Sequence, residues 1–445
     1  MTDLLAACGQ MAVSLAFHIL FAVAGMAMPL LMVIAESLHL RTGDPLYKDL
    51  AKRWARGTAI LFAVGAVSGT VLSFELGLLW PTFMEHAGPV IGMPFSIEGF
   101  FFFLEAIFLG IFLYGWDRVS PRLHLFSGVM VAVSGLMSGV VVVSVNAWMN
   151  SPAGFKVVEG QFVDVDVMAA IFNPAFPTQA LHMAVAAYTS VAFAVMGIHA
   201  WRLLRDPSSR FHGVALKIAL GVAIVSVVLQ LASGDLAAKH LAEYQPSKLA
   251  AAEGHFKTTR GASLSLVGWP DEDKGELIGE IGVPYALSIL GKADPNAEIE
   301  GLDKTPRADW PPVAVVYVAF KVMVGAGFAM FGVALWGAWL WWRRRPFGDQ
   351  TRFLKALILA SPLGMIALEA GWVVTEVGRQ PWIIRGVMRT ADAVTPMPGL
   401  AVPFVAFTAL YAFLGVVVIA LLKAHVFAVP VTPAAPTARP VATEA

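Results

Sequence analysis

Four glutamates form two pairs with a helical spacing. Glu98 and Glu105 are seven residues apart, and so are Glu369 and Glu376. Seven residues turn an α-helix through about 700°, so the two side chains of a pair lie within about 20° of each other. Each pair therefore lines one face of a helix, where carboxylates can relay protons or bind an ion. The alternative is that they bridge neighbouring helices by hydrogen bonds.

Two histidines and a methionine could bind a redox metal. His18 and His182 lie in apolar sequence, and Met323 is one of 18 methionines. Imidazole, thioether and carboxylate groups can all be axial ligands of haem iron, and a His/Met pair is typical of electron-transfer haems. Taken one at a time, such helical residues are more often interior residues that bind nothing.

The composition requires that membrane-spanning helices hold these residues. Of 445 residues, 58% are hydrophobic and only 14% are charged, against about a quarter in soluble domains. Lys+Arg and Asp+Glu are both 31, so no positive surplus exists for binding nucleic acid. A spanning helix needs about 20 residues with few charges. The sequence therefore predicts an all-α, polytopic membrane protein with nine transmembrane helices, near 10–35, 56–80, 95–116, 124–149, 179–203, 214–236, 312–342, 353–377 and 401–424.

The remaining segments divide the chain. Residues 1–238 hold the first six helices and 311–427 the last three, while 239–310 form a long hydrophilic loop. Loops of that length are usually functional or disordered. The Pro-rich tail 428–445 is predicted to be disordered. Cys8 is the only cysteine, which excludes an intrachain disulfide and a thiolate metal site.

Lysine and arginine predict the orientation. They concentrate after the first, third, fifth and seventh helices, as at 343–345, whereas the loop 81–94 has none. By the positive-inside rule the N-terminus is periplasmic and the C-terminus cytoplasmic. Three arginines within 379–389 break the rule on the external side. The external half of the bilayer then holds all four candidate iron ligands, His18, His182, Met323 and Glu376.

The chain resembles subunit I of the cytochrome bd-type quinol oxidases over roughly residues 10–425. The most specific segment is Gly-Trp-Val-Val-Thr-Glu-Val-Gly-Arg-Gln-Pro-Trp at 371–382. Further similar motifs follow the family's order at 16–21, 98–105, 115–118, 146–149, 181–183 and 248–253.

This resemblance implies three haems and the four-electron reduction of O2 to water by ubiquinol or menaquinol. His182 and Met323 would be the axial ligands of the low-spin haem b558. His18 and Glu376 would hold haem b595 and haem d, in an order that differs among family members. The resemblance leaves two choices for this third haem, haem d or a haem b.

The resemblance also assigns roles to other residues. Trp372 would lie between haems in the electron path, and Arg379 would pair with a haem propionate. Lys321 stands where several relatives carry Arg, and would balance a propionate or favour the reduced low-spin haem. Asn146 is a further predicted site residue. The loop 239–310 would be the short form of the family's quinol-binding loop, with Lys248 and Glu253 at the quinol site.

The implied reaction separates charge without a pump. Quinol is oxidised on the periplasmic side, electrons pass from the low-spin haem to the high-spin pair, and protons for water come from the cytoplasm. Glu98 and Glu105 are the predicted last relay, with Glu369 a further candidate, while Glu75 receives no role.

The resemblance implies a second subunit, subunit II, a possible single-helix subunit, and a bacterial cytoplasmic membrane. The phenylalanine run 100–103 and the short loop also resemble the cyanide-insensitive oxidases. Two alternatives remain. A proton-coupled secondary transporter would explain the paired glutamates, and a catalytically silent scaffold would bind no haem.

Overall fold

The computed structural model describes residues 2–428, which are mostly helical. Within that range nine helical stretches are long and apolar enough to cross a membrane, which confirms the predicted number. The predicted disordered tail falls almost wholly on 429–445, outside the described residues. The helices are α1 (Asp3–Thr42), α2 (Pro45–Leu79), α3 (Pro81–Tyr114), α4 (Pro121–Asn150), α5 (Val167–Ile171), α6 (Phe176–Leu203), α7 (Arg210–Tyr244), α8 (Pro246–Glu253), α9 (Ala286–Lys292), α10 (Val313–Trp342), α11 (Thr351–Ala360), α12 (Leu363–Val377), α13 (Thr390–Ala393) and α14 (Ala401–Leu422).

Most spanning helices extend beyond the charge-free stretches that predicted them. α1 has 40 residues, and α7 continues to Tyr244, inside the segment predicted as loop. Charged residues at helix ends reach the headgroup region, so a charge does not mark where a helix stops. The eighth span is divided into α11 and α12 at Ser361 and Pro362, because proline cannot continue the hydrogen-bond ladder of the preceding turn.

Local signals fix the connection between α1 and α2. Gly43 ends α1 with a φ of +71°, a left-handed conformation that glycine adopts without strain. The Asp44 side chain accepts a hydrogen bond from the Leu46 amide, and Pro45 stands at the first position of α2. The chain therefore reverses over Gly43 and Asp44, and α1 and α2 pack as neighbours.

The bundle buries some helices and leaves others exposed. Over the most apolar 18 residues of each span, 56% of the residues of α1 and of α6 are buried. The share is 17% in α2 and in α3, and 11% in the last span. The largest apolar core joins α1, α6 and α7, with Met32, Phe193 and Leu216 fully buried. The exposed faces of α2, α3 and α14 are apolar, as expected for surfaces that contact lipid or a partner subunit.

The end of the bundle where α1 begins, called here the amino-terminal end, carries most of the irregular structure. There the Gly399 and Leu400 amides donate to Asp3, and the Thr395 amide donates to the Leu79 carbonyl. The strands are β1 (Lys156–Val158), β2 (Gln161–Val163), β3 (Thr259–Arg260), β4 (Leu264–Asp271), β5 (Glu276–Val283), β6 (Glu298–Ile299), β7 (Trp382–Ile384) and β8 (Met388–Arg389).

These strands form four antiparallel two-stranded pairs, β1–β2, β3–β6, β4–β5 and β7–β8. The β4–β5 hairpin is the longest, running from the Leu264/Val283 pair to the Asp271/Glu276 pair. It lies within the predicted loop 239–310, so that segment is ordered, with α8 and α9 beside the hairpin. The protein is thus an all-α membrane bundle with small hairpins at one end.

Candidate functional site

Glu376 lies at the end of α12 among polar partners from other elements. The Asn146 amide of α4 donates to its Oε1, and Arg379 donates to its Oε2 at 2.6 Å. Arg379 also donates through Nε to the Trp382 carbonyl at 3.2 Å. Its buried second terminal nitrogen finds no hydrogen-bond partner among residues 2–428. The structure therefore brings together three predicted site residues and leaves one buried cationic N–H available.

A hydrogen-bond chain connects Glu376 to the predicted quinol-site lysine. Lys248 Nζ donates to the Asn150 side-chain oxygen and, at 3.1 Å, to the Thr375 carbonyl. The Asn150 amide in turn donates to the Asn146 side-chain oxygen at 3.2 Å. Because Asn146 donates to Glu376, the chain Lys248–Asn150–Asn146–Glu376 is continuous. Burial and the nearby Arg379 hold the pKa of Lys248 well below its usual range.

Two residues of this network were not predicted from the sequence. Asn150 follows Asn146 by one helical turn, a spacing that could have indicated a shared face. Gln179 donates to the Asn146 side-chain oxygen from α6. No sequence signal links Gln179 to Asn146, since the two residues lie on different helices.

Ser68 of α2 holds the His18 imidazole by a hydrogen bond. Its Nδ1 lies 2.9 Å from the Ser68 hydroxyl, which donates its own proton to the Gly65 carbonyl at 3.1 Å. When the Ser68 hydroxyl donates to Gly65, it accepts the Nδ1 proton, and Nε2 then carries the free lone pair that a metal needs. A Cβ at Gly69 would lie 3.0 Å from the imidazole, which explains why the close approach requires glycine.

His182 is held by α7 in the same way. Its Nδ1 lies 3.0 Å from the Ser233 hydroxyl, which donates to the Gln230 carbonyl at 3.1 Å. The Gln230 side-chain amide lies 3.0 Å from Nε2. Ligation of a metal at Nε2 therefore requires that this amide rotate away.

The Met323 side chain packs against α12. A Cβ at Gly371 would lie 3.1 Å from the Met323 sulfur, so the glycine permits the thioether to approach α12. Trp372, the next residue, is half-buried and packs against the main core. The Met323 side chain therefore lies against Gly371, the residue that precedes Trp372 on α12.

Lys321 and Glu253 form an ion pair between α10 and α8. Lys321 donates to Glu253 Oε2 at 2.6 Å and to the Ser265 carbonyl at 2.6 Å. The Glu253 side chain is 1% exposed. Burial raises the pKa of Glu253, while Lys321 acts in the opposite direction. Lys321 therefore joins the predicted quinol-site carboxylate to the helix that carries Met323.

The first glutamate pair faces one helix, as its spacing predicts. Glu98 accepts a hydrogen bond from Ser138 of α4 at 2.9 Å. The Glu105 carboxylate lies 3.1 Å from the position that a Cβ at Gly135 would take. Gly135 and Ser138 are three residues apart, so both carboxylates line the same face of α4.

The second pair is divided between two environments. Glu369 borders an apolar cavity of about 400 Å3 between α1, α12 and α14, which is lined by Val13, Ala16, Phe17, Leu20, Thr408, Tyr411 and Ala412. Its buried Oε1 finds no partner within the described chain. Glu376 faces α4 instead, so the structure does not bring these two carboxylates to one site.

A second cavity, of about 210 Å3, lies at the amino-terminal end. Lys248, Lys304, Arg379 and Arg385 line it, together with Asp309, which pairs with Arg389. This excess of positive charge suits an anionic group such as a carboxylate.

The candidate ligands suit haem iron better than a metal ion held by protein side chains alone. Among residues 2–428 no group of three or more His, Cys, Asp or Glu side chains could hold a metal ion, whereas haem needs only one or two axial ligands. The Nδ1 of His18 and that of His182 each lie beside a serine hydroxyl, which would leave Nε2 for iron once the Gln230 amide moves away from His182. The unpartnered N–H of Arg379 suits a propionate.

Comparison with known proteins places the chain among respiratory oxidases. Residues 7–430 match the family model of cytochrome bd terminal oxidase subunit I. A putative cytochrome bd menaquinol oxidase subunit I of Bacillus subtilis is 37% identical, covering 94% of this chain and 95% of the relative. A cytochrome bd ubiquinol oxidase subunit 1 of the same organism is 33% identical, covering 94% and 92%.

A solved structure shares the fold. The bd oxidase of Geobacillus thermodenitrificans superposes with a TM-score of 0.91 at 40% identity, covering 96% of this chain and 99% of that chain. The family match and these relatives favour the oxidase over the transporter and the silent scaffold. The chain belongs to the cytochrome bd quinol oxidases, as their subunit I.

Proposed function

We propose that this subunit oxidises quinol at α8 and the adjoining loop and reduces O2 to water inside the bundle. This proposal rests on the continuous hydrogen-bond chain from Lys248 to Glu376. It connects a buried residue of the quinol-binding loop to a candidate iron ligand. Both functions therefore fall at the amino-terminal end of the bundle.

Four residues would hold the haems that the family uses. His182 and Met323 would bind the low-spin haem b558, and His18 and Glu376 would bind haem b595 and either haem d or a further haem b. When bound, these groups would supply electron transfer and O2 reduction. Arg379 would pair with a propionate through its unpartnered terminal nitrogen. Trp372, next to the glycine that the Met323 sulfur approaches, would lie between haems in the electron path.

The quinol site is proposed at Glu253 and Lys248. Glu253 is a buried carboxylate held by Lys321, so it can accept a proton from a quinol hydroxyl as that quinol is oxidised. Lys248 is fully buried beside Asn150 and can donate a hydrogen bond to a quinol oxygen. The named relatives act on menaquinol in one case and on ubiquinol in another, and this site suits either.

The proton path is proposed along the contact of α3 and α4. Glu105 and Glu98 face α4 one above the other. A carboxylate in low dielectric can hold and pass a proton. With the amino-terminal end periplasmic, as the positive-inside rule predicts, protons for water cross from the cytoplasm. Quinol releases its protons outside, so charge is separated without a pump.

The subunit works with subunit II of the oxidase. The exposed apolar faces of α2, α3 and α14 offer it area to bury. We further propose a small single-helix subunit, a bacterial cytoplasmic membrane, and membership of the cyanide-insensitive subgroup, on the resemblance described above.

Glu253→Gln tests the quinol site. In the purified two-subunit complex supplied with a short-chain quinol, this variant is expected to lower O2 consumption by about a hundredfold, the effect of removing a positioned proton acceptor. Glu276→Gln, an exposed carboxylate on β5, is the matched control and should retain full activity. An unchanged rate in Glu253→Gln with normal haem content would contradict the proposed site.

A further inference from the structure

The β4–β5 hairpin exposes many apolar side chains for a loop. Six of them are between 44% and 62% exposed, namely Leu266, Val267, Trp269, Ile278, Ile281 and Val283. An uncovered apolar ribbon of this kind usually marks contact with a protein or a membrane.

Three contacts place the hairpin beside the first turns of α10. The Ser265 carbonyl accepts from Lys321 at 2.6 Å, and the Ser265 hydroxyl and the Tyr317 hydroxyl hydrogen-bond at 2.8 Å. Glu272 accepts a hydrogen bond from the Val313 amide at 3.1 Å. Residues 313 to 321 span about 12 Å of helix. The base of the hairpin therefore lies about 12 Å further along α10 than its tip.

The membrane boundary on α10 falls near the base of the hairpin. At the opposite end, tryptophans at 339, 341 and 342 precede three arginines, which is the usual pattern of a membrane interface. A hydrocarbon core about 30 Å thick takes about 20 residues, which places the other boundary near residue 319. Tyr317 and Lys321 flank that position. Backbone groups there still reach water, so an open hairpin is tolerated.

The charged and apolar residues of the hairpin are arranged as this membrane boundary requires. Its tip, 271–276, holds five charged residues and lies level with the start of α10. Of its exposed apolar side chains, Leu266, Val267, Ile281 and Val283 lie toward the base, and the Trp269/Ile278 pair lies nearer the tip. At the same depth α10 exposes Val315, Val318 and Val322, so the apolar surface of the hairpin continues one that a spanning helix offers to lipid.

We propose that the β4–β5 hairpin is seated in the headgroup and acyl boundary of the leaflet at the amino-terminal end, where its apolar side chains contact lipid. Ser265, at its base, is tied through Lys321 to Glu253. A lipid-soluble quinol therefore reaches Glu253 from the bilayer beside the hairpin, and this last step rests on the proposed function.

Nitroxide labels test the depth directly. In the two-subunit complex carrying Cys8→Ala, reconstituted in lipid nanodiscs, single cysteines replace Val267, Ile281 and Asp273. Relaxation by O2, which concentrates in lipid, is compared with relaxation by a water-soluble nickel chelate. We expect a severalfold higher ratio of O2 to nickel accessibility at 267 and 281 than at 273.

Two results would overturn the proposal. Equal ratios at all three positions would place the hairpin in water, and labels at 267 and 281 that neither reagent reaches would place it under a partner subunit.

A phospholipid with a photoreactive acyl chain provides a second measurement, on the unsubstituted complex. It should label the peptide 264–283, and labelling confined to spanning helices would also contradict the proposal. Neither readout needs quinol or haem, so failure of the quinol site would leave the result intact.

Discussion

Ser68 orients the His18 imidazole. Its hydroxyl lies 2.9 Å from Nδ1, and loss of such a partner typically lowers metal affinity 10- to 100-fold. Ser68→Ala is therefore expected to reduce haem occupancy at His18, measured as haem per protein after extraction. Ser73→Ala, an exposed serine on the same helix, is the control. A full haem complement in Ser68→Ala would remove the support for His18 as a ligand.

Lys321 sets the protonation of Glu253. Burial raises the pKa of Glu253 and Lys321 lowers it, so Lys321→Met should raise that pKa further. If the ionised carboxylate accepts the quinol proton, the acid limb of the kcat profile moves to higher pH in Lys321→Met. The profile is measured with saturating quinol, and Lys292→Met, in the last turn of α9, serves as control. An acid limb that stays in place, or moves to lower pH, would contradict the assignment.

At the scale of elements, the α3–α4 contact carries the proposed proton path. Glu105 is 5% exposed and faces Gly135, so Glu105→Gln removes a proton carrier with little change of shape. We expect O2 consumption to fall by about a hundredfold while haem content stays the same. Glu85→Gln, an exposed glutamate on α3, should be neutral. Unchanged O2 consumption in Glu105→Gln would mean that protons take another route.

The sequence predicted the spanning helices well because lipid imposes a strong, local signal of about 20 apolar residues. It underestimated helix lengths, as for α1, because charges are tolerated at the membrane surface. It did not predict the β4–β5 hairpin, whose strands are of mixed polarity and lack a regular alternation. Partners such as Ser68 and Gln179 were missed because they lie on other helices, where only packing brings them to His18 and Asn146.

In the whole molecule, Glu376, Met323 and the residues of the proposed quinol site are brought together at the amino-terminal end of the bundle by two polar networks. The chain from Lys248 through Asn150 and Asn146 reaches Glu376, and Lys321 joins Glu253 to the helix of Met323. At the opposite end, ion pairs such as Lys48–Asp117 and Arg210–Asp44 join the start of a helix to a connecting segment. Exposed pairs of that kind add little stability, so the buried apolar core holds the bundle together.

We propose that this subunit holds haem on the four named ligands, with Met323 on the low-spin haem. The most direct measurement is the dithionite-reduced minus air-oxidised spectrum of the two-subunit complex, for the unsubstituted chain and for Met323→Leu. Met330→Leu, a buried methionine two turns along α10, is the matched control because this swap conserves volume.

We expect low-spin b-type bands together with high-spin bands in the unsubstituted complex and in Met330→Leu. A far-red band would identify haem d, and its absence would indicate haem b in that place. Met323→Leu should lose the low-spin bands and keep the high-spin bands. A folded complex without haem, or low-spin bands that persist in Met323→Leu, would contradict the account.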